Sequence, residues 1–190
     1  NLARYQGVKA EWASNEKVAL DAAVGAAYAG VRSLAAMKHV GVNVAADTLF
    51  SIAYTGVRGG LVIVSADDPG CWSSQNEQDN RHYARFAKVP MFEPSDSQEA
   101  KDFIKLGFEV SEKFDTPVMV RSVTRISHAK GIVELQDPVV PPVPIEIQKD
   151  TAKYTMLPSY ARIRHAFIEE RLLKLKEFAE QFPGNQMEMN

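Results

Sequence analysis

The sequence predicts an α/β fold: a three-layer domain with a mainly parallel sheet flanked by helices. Three observations predict it. The runs LVIVSAD (61–67) and TPVMVRSV (116–123) are continuous and rich in β-branched residues, the pattern of strands buried on both faces. Amphipathic helical segments stand between the strand candidates. Strands alternating with helices imply parallel pairing through crossovers.

Ser14 and Asn15 are good N-cap residues, and Glu16 falls in the first turn behind them. The helix they open is predicted to run to about Met37. It is unusual in being built almost wholly of Ala and Gly. Ala19, Ala22, Ala23, Ala26, Ala27 and Gly30 would form a face that another backbone can approach closely. The stretch KHVGVNVAAD (38–47) reads as a loop, with Asp47 capping a second helix through Gly56. RGG (58–60) breaks the chain before the first buried strand. DDPGCWSSQNEQDN (67–80) is a polar loop, RHYARFAKV (81–89) a short helix and PMFEP (90–94) a further strand. An amphipathic helix follows over 95–114, with a capping box begun by Ser95 or Ser97.

Beyond residue 136 the character changes. Residues 137–157 form a Pro-rich linker, DPVVPPVPIEI at its start, and 158–190 form an amphipathic helix expected to lead to a further domain. Its apolar stripe reads Ile163, Phe167, Ile168, Leu172, Leu175, Phe178 or Ala179, and Phe182, to pack on its own domain or a neighbour.

Length and composition bound the function. The chain has 190 residues, 45% of them hydrophobic, with a net charge of −2. That balance excludes a strongly basic nucleic-acid surface. Cys71 is the single cysteine, so no internal disulfide and no cysteine-based cluster can be built here. The apolar runs are too short to span a bilayer, and a reduced cytoplasmic setting fits. His82, His128 and His165 are too scattered for a metal site, and none is expected. The chain starts without Met and enters dense structure at once, so a piece of something longer is expected.

For Glu16 two readings stand. An acid in a first turn complements the helix dipole. A carboxylate that must bond one particular ligand nitrogen also needs a rigid mount, and a helix start supplies one. His39 and Asn43 lie where the following segment should reach the same sheet edge. A core-capping or exposed histidine and a turn asparagine are the alternatives. Gln75, Asn76, Glu77 and Asp79 follow a buried strand, and ligand sites in α/β folds gather at carboxyl strand ends. They line a substrate, or they form a solvated loop or a dimer contact.

From Glu11 to Val133 the sequence resembles the pyrimidine-binding domain of 2-oxoacid:ferredoxin oxidoreductases, nearest to the branch acting on indolepyruvate. NEKVA, MKHVG, GVRGG and SSQNEQD carry the likeness together. It continues more weakly through the linker and LPSYARIRHAFIEERLLKL. The resemblance implies a thiamine diphosphate site at a seam between two domains. It makes Glu16 the catalytic and cofactor-binding acid that bonds the aminopyrimidine ring; His39 and Asn43 are cofactor-binding candidates by their place in the chain. The small helix face would then press on a diphosphate-binding domain of the same or a second chain. It also implies a β subunit, ferredoxin, a homodimer contact, and oxidative decarboxylation of an aryl 2-oxo acid to an acyl-CoA. Magnesium and iron–sulfur clusters would bind outside this stretch, because the Gly-Asp-Gly segment and the cysteine clusters do not occur in it. The sequence departs at one place. Where the pyruvate enzymes carry a substrate-binding arginine it has Asp67 or Asp68, with Arg58 or Arg81 as possible substitutes. A related oxidoreductase or decarboxylase of another substrate, or a non-catalytic assembly domain, are the rival implications.

Overall fold

The computed structural model describes residues 2–5, 7–137 and 149–185. Four strands, β1 (Ser33–Lys38), β2 (Leu61–Asp67), β3 (Met91–Phe92) and β4 (Val118–Val123), form one sheet in the order β1-β2-β4-β3. All three pairings are parallel. The expected α/β class and strands β2, β3 and β4 are found.

Four expectations near the amino terminus are corrected. The first helix, α1 (Glu16–Tyr28), ends well before Met37. Asn15 caps its start by accepting the Val18 N–H at 3.0 Å. Its end closes in a Schellman pair, Gly30 N–H to Ala27 O and Val31 N–H to Ala26 O. Gly30 thus terminates the helix rather than lining its face, and the chain turns into β1. The supposed loop after it holds a second helix, α2 (His39–Val44), followed directly by α3 (Ala46–Thr55). Asp47 lies in the first turn of α3, not at its cap.

The remaining helices are α4 (Arg81–Ala87), α5 (Ser97–Phe114), α6 (Thr124–His128), α7 (Thr151–Tyr154) and α8 (Pro158–Gln181). Asp96 caps α5 by accepting Glu99 N–H at 2.8 Å, so the cap is neither Ser95 nor Ser97. Glu99 reaches back to the Ser95 N–H at 2.7 Å, one residue ahead of the cap, so the box closes on the preceding residue instead of on the N-cap amide.

Core packing follows from strand alternation. One sheet face, with Ala35, Met37, Ile63 and Met119, buries Leu20 and Ala27 of α1, Leu49 and Ile52 of α3, and Ala84 of α4. Each of the larger aliphatic side chains contributes roughly 1.5–3 kcal/mol by leaving water. The other face, with Val62 and Val118, receives α5. The described part of 137–157 ends at Asp137 and resumes at Lys149, so the Pro-rich core of that expected linker lies outside the described residues.

Helix α8 packs on its own domain through part of the expected stripe, Ile168, Leu175, Phe178 and Phe182, while Ile163, Phe167 and Leu172 are exposed and Arg171 takes a buried place the stripe did not include. Ile163 is 72% exposed, while Ile168, Arg171 and Leu175 are buried. Arg164 donates to Tyr54 O at 2.7 Å, and Arg171 to Ala53 O at 2.8 Å and Asp115 O at 2.7 Å. The inward face is partly cationic because it meets the open carbonyl ends of α3 and α5. Farther along, Phe178 and Phe182 join Phe92, Phe103 and Phe114.

Candidate active site at the carboxyl ends of the strands

Helix α1 runs against β1, so its first turn lies at the carboxyl ends of the strands. Three contacts fix that turn besides the Asn15 cap. Lys17 Nζ reaches Thr48 Oγ1 at 3.1 Å and Asp47 at 3.4 Å on α3. Thr48 Oγ1 donates to Asp21 at 2.6 Å. Glu16 is half-buried. Its side chain lies flat over Gly41 of α2, where a Cβ would stand 2.4 Å from Glu16 Cγ. Among the described residues the Glu16 carboxylate accepts no hydrogen bond and makes no ion pair.

Gly41 sits between the other two residues singled out on this segment. His39 is fully buried. Its Nε2 lies 3.1 Å from Asn76 O and its Nδ1 3.4 Å from Ala66 O. The ring thus ties the end of β2 to the 68–80 loop. Asn43 is exposed and its Oδ1 accepts the Tyr83 hydroxyl of α4. Gln75, Asn76 and Glu77 are exposed on the loop, which arches beside α2. Glu77 accepts the Gly70 N–H at 2.9 Å, and Asp79 holds Arg81 through Nε at 2.8 Å and Nη2 at 2.7 Å. The structure therefore gathers Glu16, His39, Asn43 and the loop at one edge of the sheet, with Asp79 turned to its own arginine.

Of the proposed substitutes for a substrate arginine, Arg81 is engaged by Asp79. Arg58 is at the wrong end. It precedes β2, and its N–H bonds Ala27 O near the carboxyl end of α1, opposite Glu16. Asp67 and Asp68 are both internal supports. Asp67, 2% exposed, accepts Arg121 Nε at 2.6 Å, Ser65 Oγ at 2.6 Å and Asn80 N–H at 3.1 Å. Arg121 also grips Glu93 beyond β3. Asn80 Nδ2 continues the network to Ser65 Oγ at 2.7 Å and His39 O at 3.3 Å. Sequence reading missed this network. Its signal was a charged residue, Arg121, inside the apolar run of β4, which calls for a buried partner.

Asp68 anchors the loop, accepting Ser74 Oγ at 2.6 Å, Ser73 N–H at 2.7 Å and Thr124 Oγ1 at 2.8 Å. Those bonds hold its carboxyl far below the usual carboxylate range. The Arg81 bonds likewise hold Asp79 down, at about 2. Both are depressed in the fold, so their support is complete above the unfolded value of about 4. It is lost as pH falls through the folded values. Amide protection factors over residues 68–80 should therefore drop as pH goes from about 4 to about 2. Asp68→Asn should lower the protection already at neutral pH and flatten most of that dependence. An unchanged profile would mean the carboxylates do not hold the loop.

Among the described residues no group of three or more His, Cys, Asp or Glu side chains could hold a metal ion. Cys71 is exposed. Among the same residues no helix is long and apolar enough to cross a membrane.

Comparison with known proteins adds to this geometry. The family described as pyruvate flavodoxin/ferredoxin oxidoreductase, thiamine diphosphate-binding, matches residues 3–171. The indolepyruvate oxidoreductase subunit IorA of Archaeoglobus fulgidus is 51% identical over 181 residues, which are 95% of this chain and 28% of that protein. Its namesake in Methanothermobacter marburgensis is 48% identical over 179 residues, 94% of this chain and 29% of that protein. The chain thus spans less than a third of the length of these relatives. A solved structure of 2-oxoglutarate:ferredoxin oxidoreductase from Magnetococcus marinus, with 2-oxoglutarate, coenzyme A and succinyl-CoA bound, has a TM-score of 0.64. It covers 90% of this chain and 38% of that one at 15% identity, a likeness of fold.

Proposed function

Because the chain belongs to the thiamine diphosphate-binding family of pyruvate flavodoxin/ferredoxin oxidoreductases, we propose that it forms the pyrimidine-binding part of a larger enzyme. That enzyme oxidatively decarboxylates an aryl 2-oxo acid, indolepyruvate foremost, to an acyl-CoA and passes electrons to ferredoxin. The observation that carries this reading is the Glu16 carboxylate. It is rigidly mounted at the carboxyl ends of the strands, half-buried, and unspent on any described residue.

The residues present fit the cofactor. A single unpaired carboxylate suits one ring nitrogen of a flat heterocycle better than a cation, which would ask for several oxygen ligands. Thiamine diphosphate, when bound, supplies the carbon nucleophile that a 2-oxo acid requires. Glu16 would hold the aminopyrimidine, keeping a shared proton between its carboxyl and the ring nitrogen. Asn43 would flank it, and His39 would shape the wall by holding the 68–80 loop in place. Gln75, Asn76, Glu77 and Asp79 would border the substrate side. Magnesium, the diphosphate and iron–sulfur clusters would be held by a second domain of the same or another chain. A β subunit, ferredoxin and a second copy would complete a cytoplasmic assembly.

The complete enzyme tests this under anaerobic conditions with indolepyruvate, coenzyme A and a viologen dye. Glu16→Gln should reduce turnover on the order of a hundredfold or more, the scale of losing positioned acid–base help. Full turnover in that variant would remove Glu16 from the chemistry. Activity with another 2-oxo acid and none with indolepyruvate would keep the chemistry and change the substrate.

A further inference from the structure

We propose that Gly41 is a positioning residue for the Glu16 carboxylate, its missing side chain being the space in which the Glu16 stem lies. The inference rests on the role proposed for Glu16 and names what aims that side chain.

Gly41 is not a glycine for backbone reasons. It lies within α2, and it is absent from the residues with positive φ. A helical glycine with ordinary dihedrals is a poor choice, since alanine favours the helix. The contrast with Gly25 in α1 is direct, for a Cβ there would meet nothing within 4 Å. At Gly41 a Cβ would stand 2.4 Å from Glu16 Cγ, 3.1 Å from Glu16 Cδ and 3.1 Å from Met37 Cβ. The Met37 contact asks for a shift of a few tenths of an ångström. The Glu16 contact cannot be accommodated without moving the side chain.

Neither helix is free to retreat. The start of α1 is held by the Asn15 cap and by Lys17 on Thr48. Helix α2 is held by the buried ring of His39 and by Val42, 2% exposed. A methyl at position 41 must therefore drive Glu16 into another rotamer and swing its carboxylate away. Misplacing a reacting group by about 1 Å costs on the order of a hundredfold in rate.

The test uses the complete enzyme, as wild type, Gly41→Ala, Glu16→Ala and the double variant. Turnover is measured anaerobically, and thiamine diphosphate binding to the stripped enzyme by calorimetry with magnesium present. Gly41→Ala should lower kcat on the order of a hundredfold with KM little changed, and weaken thiamine diphosphate about tenfold, the scale of one hydrogen bond. In the Glu16→Ala background, where no Cγ remains to collide, the same change should leave binding within about twofold. A Gly41→Ala enzyme that binds and turns over like wild type, beside an impaired Glu16→Ala, overturns this proposal and spares the role of Glu16. An equal loss in both backgrounds also overturns it, because the glycine then acts without Glu16. An unimpaired Glu16→Ala ends both. If Gly41→Ala fails to fold, recovery of folded enzyme in the double variant supports the collision, and failure in both assigns the glycine to packing on Met37.

Discussion

Arg121→Leu is expected to lower the stability of the chain by about 3–5 kcal/mol, the cost of removing one partner from a buried ion pair. The reason is what the substitution leaves behind. Asp67 has a fully buried side chain and faces Arg121 Nε at 2.6 Å. Without the guanidinium it keeps the Ser65 hydroxyl and the Asn80 N–H, which solvate a carboxylate but do not neutralise it. Glu93 loses its partner as well, though it stands at the surface and costs less. Arg121→Lys should fall between, since an ammonium restores the charge without the fork that serves Asp67 and Glu93 together. Asp67→Asn combined with Arg121→Leu should recover part of the loss, because no unpaired charge then remains. Denaturant midpoints at constant m-value would check the series. An Arg121→Leu chain within about 1 kcal/mol of wild type would mean that water reaches Asp67 in place of the arginine.

That network also bears on the site. It joins the carboxyl ends of β2 and β4 and the segment beyond β3 to Asn80, and Asn80 bonds the backbone of His39. Position 39 opens the helix that carries Gly41, so the same buried polar group that closes the sheet also seats the wall against which Glu16 rests.

How much of this was legible in the sequence depends on the range of the interaction. Strands β2 and β4 announce themselves because burial on both faces demands an unbroken β-branched run. The start of α1 was legible because Asn15 and Glu16 are local signals with a local mechanism. Strand β1 was not. Ser33–Lys38, SLAAMK, is made of good helix formers and follows a helical run, so propensity alone continues the helix. It becomes a strand because Gly30 stops α1 and β2 offers it a parallel edge. Helix α2 was hidden for the opposite reason, since HVGVN holds a glycine and β-branched residues and is helical only through its packing. The collision that defines Gly41 joins residues 16 and 41, and the pair Asp67–Arg121 joins β2 to β4. Such contacts exist only once the topology brings the chain together, and the position of Arg58 at the far end of the sheet is a fact of the same kind.

Gly56→Ala should be as damaging, at about 4 kcal/mol or more, and for reasons that add. Gly56 has φ 71° and ψ −166°, a region open essentially to glycine, which costs other residues on the order of 1–3 kcal/mol. A Cβ there would also stand 2.1 Å from Asp115 Oδ1 and 2.5 Å from its Cγ. Asp115 could not stay. Its carboxylate accepts the Val57 N–H at 2.8 Å, Lys153 at 2.9 Å and Arg164 at 3.1 Å, binding the end of α5 to the segment that carries α7 and α8. Beneath it Arg171 gives its two Nη groups to the Asp115 and Ala53 carbonyls, while its Nε has no partner among the described residues. Burial pushes that guanidinium down to about 10, and the Asp115 charge is what opposes the push. Displacing Asp115 therefore strips a buried cation of its nearest anion and frees two more at the surface of the joint. Helix α8 should then come away before the sheet melts, so that residues 150–181 become cleavable by protease under conditions where the sheet still resists. Loss of both together in one transition would show instead that α8 is fastened by its aromatic end at Phe178 and Phe182 and not by Asp115.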